Sequence, residues 1–306
     1  MRLRQIEDFL AVIDEGSIHA AARKTGLSQP AVTKSLRALE AELQVQLVRR
    51  TNHGVVTTPA GRAFYARARA AQTELRKGEE EIAHLTGTGS GSVAFGVGPV
   101  AALLVVPEAV TRFRKENPEA NVRIVEGAPN EFISMVRDGT LDFAMRPKVA
   151  GKLDPALAFR PLFVEDIIVV GRKNHPLRNA GSIARLISAT WVRGTIGGGT
   201  MAGSLNHMLS KLKLPIPRTF LQCDSYTVAV PVIGKSDALG MIVRRFLATA
   251  PASDLLQEIK VAEPIPTVTI GMITRKDTPL TPAAAAMARI ITDITRQFTV
   301  RPRAVR

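Results

Sequence analysis

Six residues in one short stretch have the types and offsets needed to read a nucleic acid. Ser28, Gln29, Pro30, Thr33, Lys34 and Arg37 would share the outer face of a helix capped by Ser28, because residues three and four apart stack on one side. Glutamine can pair with adenine edges, serine and threonine with bases or phosphates, and lysine and arginine with the backbone. Other chemistries have thinner support. His19, His53, His84, His175 and His207 are scattered without a metal-ligand spacing, so no metal is expected. Cys223 is the sole cysteine, at the end of a strand-like run; it reads as a buried apolar side chain or as one facing a cleft. Gly197–Thr200 is followed by Met201 rather than by the Gly-Lys-Ser/Thr ending of a phosphate loop. The run Gly96-Val97-Gly98-Pro99-Val100-Ala101, with Glu126 further on, imitates a dinucleotide fingerprint. It supports the rival reading, a dinucleotide-dependent enzyme using the Gly96-Val97-Gly98 turn, although Pro99 removes an N–H that would serve the pyrophosphate. No catalytic residue and no cofactor is expected.

The elements that would hold the six residues follow from local pattern. Leu3, Ile6, Phe9, Leu10 and Ile13 repeat at helical spacing. Gly16 ends that helix and Ser17 caps a short second one, Ile18–Thr25, before the Gly26-Leu27 turn. Pro30 then falls in the first turn of a third helix whose apolar stripe is Val32, Leu36, Leu39 and Leu43. A small Ala22 where helices cross, a left-handed Gly26 and a buried Val32 are what a helix-turn-helix requires. Asn52-His53-Gly54 between QLVRRT and VVTT predicts a hairpin, and Pro59 opens a long helix to about Leu85. That helix has too little apolar face to form a core alone, so it pairs with a second copy or packs along a neighbour.

Charge agrees with this placement. The 306 residues carry 41 Lys and Arg against 27 Asp and Glu, a formal net charge of +14. Between Gly16 and Ala70 nine basic residues face two acidic ones; the excess is either a polyanion-binding surface or an ordinary solvated one. No apolar run approaches the roughly 20 residues of a membrane span, and acids at Glu7, Asp8, Asp14 and Glu15 interrupt the N-terminus. No membrane segment or signal peptide is expected, and the chain reads as a soluble, cytoplasmic protein. Thr86–Ser92 is a Gly/Ser linker. Beyond it VAFGVG, NVRIVE, LDFAMR, DIIVVG, ATWV, TFLQC and ALGMIV alternate with helical runs, which argues for a parallel sheet with covering helices. Val268–Arg275 is a further strand, Pro282–Phe298 a final helix and Arg301-Pro302-Arg303 a frayed tail.

The string AARKTGLSQPAVTKSLRALE, within residues 1 to about 60, resembles the N-terminal winged helix-turn-helix of LysR-type transcriptional regulators. The resemblance extends over essentially the whole chain. It implies an α+β / α/β organisation: a winged helix-turn-helix DNA-binding domain over 1–58, a linker and dimerisation helix over 59–86, and a hinge over 87–91. A periplasmic-binding-protein-like, two-lobed α/β effector domain follows over 92–306, with lobe I about 92–161 and 267–306 and lobe II about 162–266. Gln29, Pro30, Thr33 and Lys34 would then meet the major groove, with Ser28 and Arg37 near the backbone. Arg50 matches the usual arginine at the start of the wing. His53 at the wing tip would enter a minor groove or stand in the turn without a role. Arg49 and Val48 depart from the family, which commonly has an acid and a phenylalanine there. The partners implied are double-stranded DNA with a pseudo-palindromic operator, a second copy through the linker helix and a homotetramer, with RNA polymerase a further candidate.

Ligands of such domains bind outside the carboxyl ends of strands, beside helix N-termini. The residues this selects are Gly98, Pro99 and Val100 after the first strand, Ala128 and Asn130 after the second, and Arg146 at the end of the third. In the other lobe they are Thr200 and Met201 at a helix start and Ser225 and Tyr226 after TFLQC. Arg146 would hold a carboxylate in two parallel hydrogen bonds or form a structural salt bridge. From Gly87 onward 28 basic residues face 17 acidic ones, so an anionic effector, an organic or aromatic acid, is expected. A ligand-free architectural DNA-binding protein is a third reading; a domain of over 200 residues with ligand-type loops speaks against it.

Overall fold

The computed structural model describes residues 1–51, 54–86, 91–127, 130–148, 151–194, 200–223 and 225–298. The chain divides into two units, Met1–Ile82 with Asp138–Thr140, and Ala83–Arg137 with Leu141–Arg306.

The first unit contains α1 (Leu3–Glu15), α2 (Ile18–Thr25), α3 (Gln29–Leu43), β1 (Val48–Thr51), β2 (Gly54–Thr57) and most of α4 (Pro59–Leu85). Its turns are set by the residues that punctuate the sequence. Gly16 and Gly26 are left-handed, with φ of 66° and 68°, a conformation that costs glycine nothing. The Ser17 hydroxyl accepts the Ala20 N–H at 3.1 Å and the Ser28 hydroxyl that of Ala31 at 3.3 Å; each such cap contributes about 1 kcal/mol. Phe9, Leu10, Leu36, Leu39 and Leu47 form one core, and the Phe9 ring meets Phe64 at 5.4 Å and Tyr65 at 6.5 Å. The first turns of α4 therefore share the core of the three helices, and a boundary at 58/59 cuts through it. Leu3 is exposed, and Val12 is buried against Ile18, Ala21 and Val32. The apolar face of α1 thus includes the side turned to α2.

The second unit runs β3 (Ser92–Val97), α5 (Pro99–Leu104), α6 (Val106–Glu116), β4 (Asn121–Glu126), α7 (Glu131–Arg137), β5 (Phe143–Pro147) and β6 (Leu157–Glu165). It continues through β7 (Ile167–Arg172), β8 (Trp191–Arg193), α8 (Thr200–Lys211), β9 (Thr219–Gln222), α9 (Tyr226–Gly234) and β10 (Gly240–Val243). The last elements are α10 (Ala252–Leu255), β11 (Leu256–Glu258), β12 (Val268–Arg275) and α11 (Pro282–Arg296). Lobe I is a five-stranded sheet, β4-β3-β5-β12-β6. Only β4, β3 and β5 are parallel; β12 runs antiparallel to both neighbours, so the all-parallel expectation is corrected. The chain returns from lobe II directly into the gap between β5 and β6, and without a helical crossover nothing requires parallel pairing. Phe95 stacks on Phe143 at 5.1 Å in a core that includes Met287 and Ile291 of α11. Phe132, Val136 and Ile273 form a separate cluster.

Lobe II joins an antiparallel β10-β7-β11 sheet to a parallel β8-β9 pair, with a bridge from Trp191 to Leu239. β6 stays in the lobe I sheet through Glu165 and β7 opens lobe II at Ile167. The crossing therefore falls at Asp166 rather than between 161 and 162. It is held by charge: Arg245 donates to the buried Glu165, and Arg244 binds Glu258 through two hydrogen bonds, 2.6 and 3.1 Å long, with Asp166 at 3.5 Å. Among the described residues, no helix is long and apolar enough to cross a membrane.

Candidate functional site

On α3 the polar and apolar residues separate cleanly. Val32, Leu36 and Leu39 are buried, whereas Ser28, Gln29, Pro30, Lys34 and Arg37 are exposed and Thr33 is half-buried. Ala22 is buried in the same cluster as Val32, as a close helix crossing requires. The structure thus brings the six sequence-selected residues to the solvent side of one rigid helix. The wing is positioned by residues that sequence reasoning passed over. Glu40 of α3 accepts the N–H groups of Leu47 at 2.8 Å and Val48 at 3.1 Å. The Val55 N–H bonds the Gly16 carbonyl at 2.8 Å, and Gly54, at φ 121°, lies so close to that carbonyl that a Cβ would stand 2.5 Å from it. Arg50 pairs with Val55 across the hairpin; its side chain and His53 lie outside the described residues.

The basic surface is smaller than counting suggests. Lys24 is paired with Glu15 at 2.8 Å, and Arg69 with Asp14. Tyr65 donates to the same carboxylate at 2.6 Å and receives a hydrogen bond from Arg69 at 3.0 Å. This triad ties α1 to α4 inside the first unit. Burial disfavours ionisation of Asp14, but the hydrogen bonds from Arg69 and Tyr65 outweigh it and hold the carboxyl below its ordinary range. A carboxylate with a lowered folded-state pKa stabilises above its unfolded value, and the contribution disappears as pH falls through the folded one. Asp14→Asn is therefore expected to cost about 1 kcal/mol at neutral pH and nothing at acid pH. Thermal melts of both chains across that range should converge on acidification; parallel curves would remove the triad from the account.

In the second unit Arg146 stands at the carboxyl end of β5, 4% exposed, with no ion pair or side-chain hydrogen bond among the described residues and a buried Nε without a partner. The structural salt bridge is absent there. Desolvation lowers its pKa, as burial of an uncompensated cation must. The turn beside it offers less than expected: the Gly98 N–H is given to the Met145 carbonyl at 3.0 Å, and Pro99, first residue of α5, has none. Val100 is buried. Gly96 is needed for packing, since a Cβ there would stand 2.7 Å from the Phe132 ring, which accounts for the glycine that imitated a dinucleotide turn. Asn130 is exposed and Ala128 lies outside the described residues.

In lobe II, Thr200 and Met201 open α8, their side chains outside the described residues. Ser225 precedes α9 and shares a 2.7 Å hydrogen bond with Thr227. Tyr226 is a wall rather than a polar contact: it is buried and stacked on Phe246 at 4.3 Å, and burial pushes its phenol well up despite a hydrogen bond donated to it by the Val243 backbone. It lines a recess open to solvent, with Trp191, Val192, Ala229 and Met241, where Arg193 and Cys223 also stand. Arg193 was not selected from the sequence. Its Nη2 donates to Asn206 at 2.8 Å while its buried Nε has no partner.

Residues 3–62 match the family model described as bacterial regulatory helix-turn-helix protein, lysR family, and residues 86–295 match the LysR substrate binding domain. The chain belongs to the LysR family of DNA-binding transcriptional regulators and carries its effector-binding domain; the family comprises regulators rather than enzymes, and the dinucleotide reading is set aside. It is 27% identical over 292 residues to the HTH-type transcriptional regulator GalR of Pseudomonas putida, covering 95% of this chain and 73% of that one. With TdcA of Escherichia coli it shares 31% over 184 residues, 60% of this chain and 59% of the other. Its fold is similar to that of CbnR, a LysR family transcriptional regulator, with a TM-score of 0.70, 19% identity, and coverage of 96% and 99% of the two chains. The effector binding domain of QuiR in complex with shikimate covers 69% of this chain and 99% of its own, at a TM-score of 0.59 and 16% identity.

Proposed function

We propose that this regulator reads a pseudo-palindromic operator with the exposed face of α3 and is switched by a small organic or aromatic acid held by Arg146. The observation that carries the effector half is the buried Arg146, which has no counter-charge among the described residues. A buried cation of this kind is costly unless an anion completes it. QuiR, solved with shikimate, supports a small organic ligand for the same fold. The dimer through α4, a tetramer built from it and contact with RNA polymerase belong to this reading, because two α3 helices on adjacent half-sites need a symmetric pair. CbnR, solved at full length with its target DNA, supports the docking of α3. An acid shifts the regulator only by binding its two states unequally.

Binding sequences selected from random DNA by the purified chain test the DNA half. Gln29→Ala is expected to lose about 1–3 kcal/mol on the selected site and almost nothing on random DNA. Lys34→Ala should weaken both alike and lower the salt slope by about 1. Equal losses for Gln29→Ala on the two DNAs would remove base reading from that residue. Titrating benzoate into the protein–DNA complex tests the effector half; a shift in affinity that Arg146→Gln abolishes is expected.

A further inference from the structure

We infer that the effector is a dianion with a compact apolar body, one carboxylate on Arg146 of lobe I and the other on Arg193 of lobe II. This rests on the acid-effector reading and goes further, to the number of charges and the second anchor.

Strand directions point the arginine-bearing ends of β5 and β8 toward the same junction. β12 is antiparallel to both β5 and β6, so those two run the same way, and Pro147 and Glu165 at their carboxyl ends oppose Ile270 and Val268. That edge is where the chain leaves lobe I through Asp166. In lobe II, Ile167 at the start of β7 opposes Val243 at the end of β10. β8 runs alongside the entry to β10, through the parallel bridge of Trp191 to Leu239 and the 2.7 Å hydrogen bond from Val192 to Leu239. With Trp191 beside Leu239, Arg193 at the end of β8 comes level with about Met241, and β8 runs in the direction in which β10 reaches the crossing at Val243; in lobe I, β5 runs toward the same crossing and ends just beyond Arg146.

Each arginine keeps a buried Nε without a partner, and neither has an ion pair among the described residues. Two such cations are what a pair of carboxylates would complete, since a guanidinium holds a carboxylate through two parallel N–H groups. Beside Arg193 lies an apolar recess walled by Trp191, Val192, Tyr226 and Met241, the apolar lining that a compact hydrocarbon body would contact. A ligand held at both ends also explains how binding would favour one lobe arrangement, because only that arrangement satisfies both arginines.

Isothermal titration of the full chain with matched acids tests this: terephthalate and isophthalate against benzoate, and adipate against hexanoate. At least one diacid is expected to bind about tenfold or more tighter than its monoacid, the value of one charge-assisted contact. Arg193→Gln should bring that diacid to the affinity of the monoacid and leave the monoacid unchanged, while Arg146→Gln weakens both. Arg193→Lys, which keeps the cation and guards against a folding defect, should retain part of the diacid preference. Monoacids binding as tightly as every diacid, with dependence on Arg146 only, would overturn the dianion and leave the acid-effector reading standing. No binding by any of these acids would overturn both.

Discussion

Gly61→Ala is expected to destabilise the winged unit by about 3 kcal/mol, the upper end of what overpacking a close contact costs, and to abolish DNA binding with it. An added Cβ would stand 1.9 Å from the Leu47 carbonyl oxygen and 2.8 Å from its carbon. Neither side can yield easily, because both are backbone. The same oxygen accepts the Thr58 N–H at 2.9 Å, and the Thr58 hydroxyl accepts the Gly61 N–H at 2.9 Å. The contact fixes the start of α4 against the entry to the wing, so relieving it moves Leu47, and Leu47 is part of the core beneath α3. Gly78, in the same helix, has no neighbour within 4 Å of a built Cβ. Gly78→Ala should instead raise stability by about 1 kcal/mol through helix propensity. Urea melts of the two variants should move in opposite directions; a neutral Gly61→Ala would contradict the packing described.

Arg146→Met is expected to do two things that rarely go together, stabilising the free protein while removing its response to acids. Removing a desolvated cation that has no counter-charge among the described residues eliminates a cost of several kcal/mol, and a methionine of similar reach fills the space, so a gain of about 2 kcal/mol is expected. Loss of a two-pronged guanidinium–carboxylate contact should weaken an acid ligand by about 100-fold. Melting temperatures with and without benzoate measure both effects at once. A destabilised variant would mean that Arg146 has a structural partner after all, and an unchanged acid response would move the ligand elsewhere.

Much of the DNA-binding unit was legible because its signals are local. Ser17, Gly26, Ser28 and Pro30 act within one turn of themselves, and the three-residue and four-residue spacings of α3 leave one face for the core and one for solvent. Contacts between distant segments were not legible. Glu40 binding the entry to the wing, Gly61 against Leu47 and the Asp14–Tyr65–Arg69 triad join residues whose sequence neighbours say nothing of the partner. Asp8 illustrates the limit: it is buried in α1 with Arg4 at 3.5 Å, where the apolar pattern predicts no acid. In the effector domain β6 was passed over because its residues alternate with exposed ones, Ala158, Val164 and Pro161 among them, at a sheet edge. Its place beside β12 depends on a pairing across more than a hundred residues, and so does the position of the crossing at Asp166. Arg146 stands out in the sequence because a strand-end arginine is conspicuous; Arg193 does not, because its place at the end of β8 beside the recess follows only from the fold.

Sequence-specific DNA reading by this regulator is measured by a gel-shift and footprint titration of the full chain. DNA from the region upstream of its own coding sequence would be compared with a scrambled version at two salt concentrations. Sequence-blind contacts are lost steeply with salt, whereas base contacts preserve a preference. Tighter, footprinted binding to the upstream DNA that survives the higher salt is expected. Equal binding to both DNAs that vanishes as salt rises would contradict it.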